Sequence, residues 1–259
     1  MKLFISLFVL MSFINPPLLF SDEKVGVLLL HGKGGTALPN SPIGGLVDSL
    51  ENNGFIVLAP DMPWSSEREY DKTFAESMLE IDEKVSELKQ KGATKIVVGG
   101  HSMGANAALG YGARYEGIVG VLAIAPGHVP ELRGLQAKID HDWMRAKEMV
   151  DAGNGSQIDS FNDINQGRLS EKEMRAEVYL SWFDPDGEAV MPVNAVNLKS
   201  GVSLLWIIGR RDRMYDRGKE YAFNNAPQNK KNAYVVVKDG HKATPRLGEL
   251  EIIKWLRNL

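Results

Sequence analysis

Short, continuous apolar runs alternate with amphipathic stretches along most of the chain. Val25–Leu30 (VGVLLL) ends in His31-Gly32, and Phe55–Ala59 is closed by Pro60. Lys95–Val98, Ile118–Ile124, Ser203–Ile208 and Ala233–Val237 are further runs of the same kind. Apolar runs this short, bounded by turn residues, read as buried strands. Phe74, Met78, Ile81, Val85 and Leu88 recur at steps of three and four, the stripe of an amphipathic helix, and Gly92 supplies its stop. Ala105–Tyr115 reads as a helix rich in Ala and Gly, small enough to lie close on a sheet. Thr244 and Pro245 read as the N-cap and first position of a last helix that ends at Leu259. Strands alternating with helices predict a mostly parallel sheet with helices on both faces.

The rhythm breaks between about 126 and 200. Leu132, Leu135, Ile139, Ala146 and Met149 suggest one helix, a polar loop spans Asp151–Gln166, and a charged helix is expected from about Ser170. The segment is too polar for another strand layer. It reads as a small helical cap over the carboxyl edge of the sheet.

Residues 1–21 have a different pattern. Lys2 precedes an apolar run from Leu3 to Ile14, which Asn15-Pro16-Pro17 breaks, and charge returns at Asp22. A positive start and an apolar stretch too short for a membrane span resemble a secretory signal peptide. Export to a periplasmic or extracellular space is therefore expected, with residues 22–259 as one domain and no stable membrane span once the signal is removed. The exit carries bulky Leu19 where a small residue is usual, so an uncleaved anchor stays open.

Composition narrows the chemistry. The 259 residues hold 30 Lys+Arg and 33 Asp+Glu, a net charge of -3 that calls for no nucleic-acid partner. Loss of residues 1–21 would remove Lys2 and no acid, taking -3 to -4. Cysteine is absent, which excludes disulfide scaffolds, cysteine nucleophiles and thiolate metal sites. No histidine pair has metal-ligand spacing on a helix, and the phosphate-loop and dinucleotide patterns fail on spacing around Gly32-Lys33 and Gly100–Gly104. No cofactor or metal is expected.

The most informative stretch is Ile96–Ala105, IVVGGHSMGA. Gly100-x-Ser102-x-Gly104 lies directly after a strand and directly before the small-residue helix. A serine on such a turn is held in a strained backbone with its hydroxyl above the sheet, and the flanking glycines avoid clashes where strand and helix crowd together. In this context Ser102 is a candidate nucleophile, and the Met103 amide a donor to a developing oxyanion.

Here the sequence resembles the α/β-hydrolase family from about Val25 to Leu259. The resemblance implies an α/β-hydrolase fold and a triad in the order serine, acid, histidine. The matching acid is Asp212, in Leu204–Asp212 (LLWIIGRRD), with Asp216 as a nearby competitor and an ion pair with Arg210 or Arg213 as a non-catalytic alternative. The matching histidine is His241, after Ala233–Val237 and Gly240, and it alone among the five histidines follows both Ser102 and Asp212. The resemblance also places a second oxyanion donor at the Lys33 amide, in His31-Gly32-Lys33. The Lys33 side chain is expected to be solvated, and His31 to bond within its own turn.

Such residues imply acyl transfer to Ser102 and then to water, with a small or medium carboxylic ester as the default small-molecule substrate. Thioesterase, lipase, peptidase and C–C hydrolase chemistry stay open, as does a non-catalytic binding protein on the same scaffold. Trp64, His128, Trp143, Trp182 and Phe183 are candidate pocket residues, each with ordinary packing as the alternative. Oligomeric state is open.

Overall fold

In the computed structural model, which describes residues 23–259, the apolar runs form one parallel sheet. Its strands are β1 (Val25–Leu30), β2 (Ile56–Leu58), β3 (Lys95–His101), β4 (Gly120–Ile124), β7 (Ser203–Gly209) and β8 (Ala233–Val237). They lie in the order β2-β1-β3-β4-β7-β8, and every neighbouring pair is parallel. The proposed signal segment, 1–21, lies outside the described residues. No helix of the described residues is long and apolar enough to cross a membrane.

The side-chain period of two divides the strands between two cores. Leu28, Leu30, Ile96, Val98, Leu204, Trp206 and Ile208 face α2 (Phe74–Gln90) and α3 (Met103–Arg114). Val27, Leu29, Val97, Leu122, Leu205 and Ile207 face α1 (Gly44–Asn52) and α7 (Thr244–Arg257). All five residues of the α2 stripe are buried. A capping box opens this helix, with Thr73 Oγ1 accepting from Glu76 N while the Glu76 carboxylate accepts from Thr73 N. Gly92 follows its C-cap at φ +94°.

The start of α7 differs from expectation. Ala243 is the N-cap, and Thr244 lies inside the first turn, its hydroxyl donating to Gly240 O at 3.0 Å. A buried threonine next to a turn carbonyl bonds backwards rather than capping forwards.

The insertion between β4 and β7 holds α4 (Arg133–Asp151), α5 (Ala176–Phe183) and α6 (Met191–Val196), but its middle is not helical. The expected polar loop and charged helix are instead an antiparallel hairpin, β5 (Ile158–Asn165) with β6 (Arg168–Arg175). Gln166 and Gly167 turn it with φ of +51° and +83°, the two positive angles of a two-residue hairpin turn. Its inner face is narrow. Phe161 stacks on Tyr179 of α5 at 4.4 Å, Tyr179 stacks on Phe183 at 4.3 Å, and the Tyr179 hydroxyl donates to Asn162 O. A strand with so few apolar positions has too weak an alternation to be read from sequence.

A buried ion pair fastens the hairpin to the loop after β1. The Lys33 ammonium bonds to the Asp163 carboxylate and to Ile164 O, with side chains only 7% and 4% exposed. Lys33 is therefore not solvated. It also lies over the Phe183 ring at 5.1 Å. Leaving one member of a buried pair uncompensated is strongly destabilising. Asp163→Ala is expected to lower the unfolding free energy by about 3–5 kcal/mol, and Lys33→Met with Asp163→Leu to recover most of that loss. Urea unfolding followed by tryptophan fluorescence measures both, and an Asp163→Ala protein as stable as the wild type would contradict the fastening role.

Candidate active site

The sheet order reverses around β1: the chain crosses to β2 on one side and to β3 on the other. Loops at the carboxyl ends of strands flanking such a point leave a crevice. The loop after β1 carries Lys33, and the turn after β3 carries Ser102.

Ser102 has φ +58° and ψ -118°, a conformation that costs a non-glycine residue energy and persists only when its surroundings enforce it. The enforcement is visible. Ser102 N donates to Ile124 O of β4 at 3.0 Å, and Ser102 O accepts from Gly127 N at 3.1 Å. α3 begins at the next residue and runs so close to β1 that a Cβ on Gly104 would lie 2.7 Å from His31 O. One on Gly100 would lie 2.8 Å from Leu30 O. Both glycines are thus required by backbone proximity. The amides opening α3 point toward the cavity end of the helix, where its dipole favours negative charge.

The loop after β1 is held peptide by peptide. Gly32 O accepts from Gly35 N at 3.0 Å and lies 2.8 Å from His31 Nδ1, which turns the Lys33 N–H to the opposite side of that peptide. His31 Nε2 accepts from Met62 N, so His31 does bond within its own turn and also braces a neighbouring one. On the other side of Lys33, Gly34 N donates to Trp64 O and Asn165 Nδ2 donates to Lys33 O. The cap hairpin therefore grips the same residue by its side chain and its carbonyl. The Lys33 and Met103 amides donate to no acceptor among the described residues, and both residues line the cavity.

Asp212 and His241 come from the segments after β7 and β8. Asp212 is buried, its Oδ1 accepts from Met214 N at 2.8 Å, and its Oδ2 lies 2.6 Å from His241 Nδ1. It makes no ion pair with Arg210 or Arg213 among the described residues, and Asp216 sits exposed in a 3-10 turn. His241 Nε2 is buried without a hydrogen-bond partner among the described residues. Gly127 marks where this ring and Ser102 approach each other. A Cβ there would lie 2.9 Å from Ser102 Oγ and 3.6 Å from His241 Cε1, so the glycine keeps the space beside the hydroxyl open. Sequence reading did not single out Gly127, whose only signal is its place just after β4.

The cavity has a volume of about 660 Å³ and holds Ser102, His241, Asp212, Lys33 and Met103 together. Val129, Leu132, Leu135, Ile164 and Met214 form its apolar wall. Of the candidate pocket residues only His128 lines it. Trp64, Trp182 and Phe183 are buried behind it, and Trp143 packs against the same core. Trp182 meets Trp64 edge-on at 5.4 Å and Phe74 at 4.8 Å, and its Nε1 donates to Lys72 O. These aromatics glue the cap to the body, because large rings contribute most when removed from water completely. His128 Nε2 donates to Trp182 O at 2.6 Å, which fixes the ring as part of that joint.

Two buried imidazoles neighbour the site. Burial, reinforced by the neighbouring His241 ring, lowers His101 to about 4. Burial, reinforced by Lys33, lowers His128 to about 3. The His101 ring lies 4.8 Å from that of His241, and its Nε2 donates to His241 O. It backs the site as a neutral support.

Comparison with known proteins agrees with this architecture. A sequence profile described as the alpha/beta hydrolase family matches residues 27–247. A search of curated protein sequences gives no match. Among solved structures, a monoacylglycerol lipase from Paleococcus ferrophilus superposes with a TM-score of 0.62 at 22% identity, covering 90% of this chain and 94% of that one. A thermostable carboxyl esterase from Bacillus coagulans gives 0.63 at 13% identity, covering 91% and 90%. A Butyrivibrio proteoclasticus protein with bound ferulic acid gives 0.62 at 16% identity, covering 91% and 90%. At these identities the structural likeness concerns the fold. With the family profile running from β1 into α7, over a parallel sheet whose crevice gathers a strained serine, a histidine and an aspartate, the chain belongs to the alpha/beta hydrolase family.

Proposed function

We propose that this protein is a serine hydrolase that cleaves small or medium carboxylic esters through an acyl-enzyme on Ser102. The observation that carries the reading is the 2.6 Å bond from His241 Nδ1 to buried Asp212, with Nε2 left unpaired in the cavity that Ser102 lines. Ester as the substrate bond rests on the neighbours described as a monoacylglycerol lipase and a carboxyl esterase.

The geometry supports the following steps. Ser102 Oγ attacks the ester carbonyl carbon, and its proton passes to His241 Nε2. Asp212 keeps the proton on Nδ1, so that Nε2 is the basic nitrogen, and stabilises the imidazolium that forms. The carbonyl oxygen becomes an oxyanion beside the Lys33 and Met103 amides, each worth about 2.7–4 kcal/mol of transition-state stabilisation. Collapse breaks the C–O bond, and the departing alkoxide takes the proton from Nε2. Water then attacks the acyl group with His241 again as base, and a second collapse returns Ser102 and a carboxylic acid.

Ser102→Ala is expected to abolish ester hydrolysis and fluorophosphonate labelling while the far-ultraviolet dichroism stays unchanged. Asp212→Asn should lower turnover by about 10⁴, the effect of presenting the wrong tautomer, and Asp216→Asn should have little effect. Activity of more than a few per cent in Ser102→Ala, or equal losses at positions 212 and 216, would reject the assignment.

His101 and His128 titrate below the ordinary 6.5 in the folded chain. The stability tied to their neutral forms is complete above about pH 6.5 and is lost as pH falls toward 4, because the unfolded chain takes up those protons first. Their imidazole proton resonances should therefore stay constant from pH 8 to about 5. Movement of either ring's resonances between pH 8 and about 5 would contradict their neutral state.

The reading includes export directed by residues 1–21, supported by Lys2 and the apolar run Leu3–Ile14. Mass spectrometry of the protein from its native cell is expected to find an N-terminus near Asp22. An intact Met1 in a soluble cytosolic fraction would reject export.

A further inference from the structure

The cavity that holds Ser102 is rimmed by charge of one sign. Lys138 comes from α4, Arg211, Arg213 and Arg217 from the segment after β7, and Lys242 from the segment after β8. These five cations line the cavity and form no ion pair among the described residues. The carboxylates nearby do not offset them. Asp212 is held by His241, and Asp163 by Lys33. Glu131, which lies near Arg217, bonds to the neutral Tyr221 hydroxyl, burial raises its pKa, and it is not part of the cavity lining. That leaves Asp239, whose Oδ1 accepts from Gly240 N. A chain with a net charge of -3 has no compositional reason to gather five cations and one available carboxylate around a single opening.

Such a cluster repels itself, and concave, low-dielectric walls focus its field into the crevice. Elsewhere unpaired cations such as Lys24, Lys89 and Lys199 are scattered over the surface, while others are paired, as at Arg68 with Asp71 and Glu80, or Arg145 with Asp142 and Asp159. Among the described residues, only around the cavity are five unpaired cations gathered at one opening. At the cavity the partners are missing from the chain itself. Arg213 is exposed, like the other four cations, but its guanidinium is seated against the cap. Its guanidinium packs on the hairpin turn, where a Cβ added to Gly167 would collide with it. This places a planar fork, suited to two parallel bonds with a carboxylate or phosphate, across the cavity between the Asp212 segment and the cap. The apolar wall of Leu132, Leu135 and Met214 lies in the same cavity, so the space accepts an apolar portion and an anionic portion together.

We infer that the substrate is an ester carrying its own negative charge, a carboxylate or phosphate group that the Lys138, Arg211, Arg213, Arg217 and Lys242 rim receives while Ser102 attacks the ester carbon. This rests on the ester-hydrolase reading and adds the substrate class to it.

The experiment compares matched pairs. 4-Nitrophenyl hemisuccinate against 4-nitrophenyl butyrate tests a carboxylate, and 1-butyrylglycerol 3-phosphate against monobutyrin tests a phosphate. At an ionic strength of about 0.01 M, where the screening length is about 30 Å, at least one charged ester should exceed its neutral partner about tenfold in kcat/KM. Which pair shows the preference identifies the anion. At about 1 M, where the screening length is about 3 Å, the preference should shrink toward parity. Arg213→Gln with Lys138→Gln should lower the charged-to-neutral ratio about tenfold, and Lys230→Gln, on an exposed site away from the cavity, should not change it. Parity in both pairs at low salt would overturn the inference and leave ester hydrolysis standing. Calorimetry on Ser102→Ala separates the reverse case. Monomethyl succinate or 1-butyrylglycerol 3-phosphate should bind and methyl butyrate and monobutyrin should not, with binding lost in the Arg213 and Lys138 variant. If no ester is cleaved, the hydrolase reading fails, and the calorimetry still decides whether the rim takes an anion.

Discussion

The approach of α3 to the carboxyl end of β1 is the constraint on which the site depends. At Gly100 and Gly104 the turn, the helix and the β1 backbone are too close for any side chain. That proximity holds Ser102 at φ +58°, with its amide on β4 and its carbonyl on Gly127. A residue in this conformation is tolerated only because the elements around it are fixed by their own cores, above and below the sheet. The strained turn is therefore supported by the whole sheet rather than by local bonds alone. It places the serine hydroxyl, the start of α3 and the loop after β1 at one point of the crevice.

The cap belongs to the site, not only to its entrance. Lys33 supplies the backbone amide proposed to meet the oxyanion, and its side chain is buried against Asp163 of the hairpin. Asn165 of the same hairpin donates to its carbonyl. A displacement of the hairpin would thus carry the Lys33 peptide with it. The aromatic joint of Trp64, Phe74, Trp182 and Phe183 provides the rigidity that such an arrangement needs, since interdigitated rings leave no room for sliding. Trp64, Trp182 and Phe183, expected to line the pocket, instead fasten the cap to the body, while His128 both lines the cavity and bonds to that joint.

Charge and apolar surface are divided within the cavity in a way that complements an amphiphilic ester. The apolar wall comes mainly from the first part of the insertion, and most cations come from the segments after β7 and β8, beside Asp212 and His241. The acid and the histidine thereby sit in a positive field while remaining bonded to each other. The proposed oxyanion and the proposed anionic group of the substrate would both be favoured by these surroundings.

The sequence by itself determined the parallel sheet, since β1 and β8 coincide with the apolar runs and β3, β4 and β7 overlap theirs, each bounded by turns. It also placed Ser102 on the turn, because a strand, two spaced glycines and a small-residue helix leave little backbone freedom for that stretch, and the serine does adopt the strained conformation. The order of Asp212 and His241 after it was legible through the family resemblance, and the 2.6 Å contact is a product of loops converging at one sheet edge. The hairpin was not legible. Its strands are mostly polar, their alternation rests on Phe161, Ile164 and Met174, and it owes its stability to Tyr179 and Lys33, which are distant in sequence or buried by other elements. Nor could sequence decide which aromatics line the cavity, or that Lys33 is paired while Arg213 is not. Periodicity reports which face of an element is apolar, but not which distant element covers it. Only the tertiary structure decides what a buried face packs against, and hence which charges are paired within the chain and which remain for a ligand.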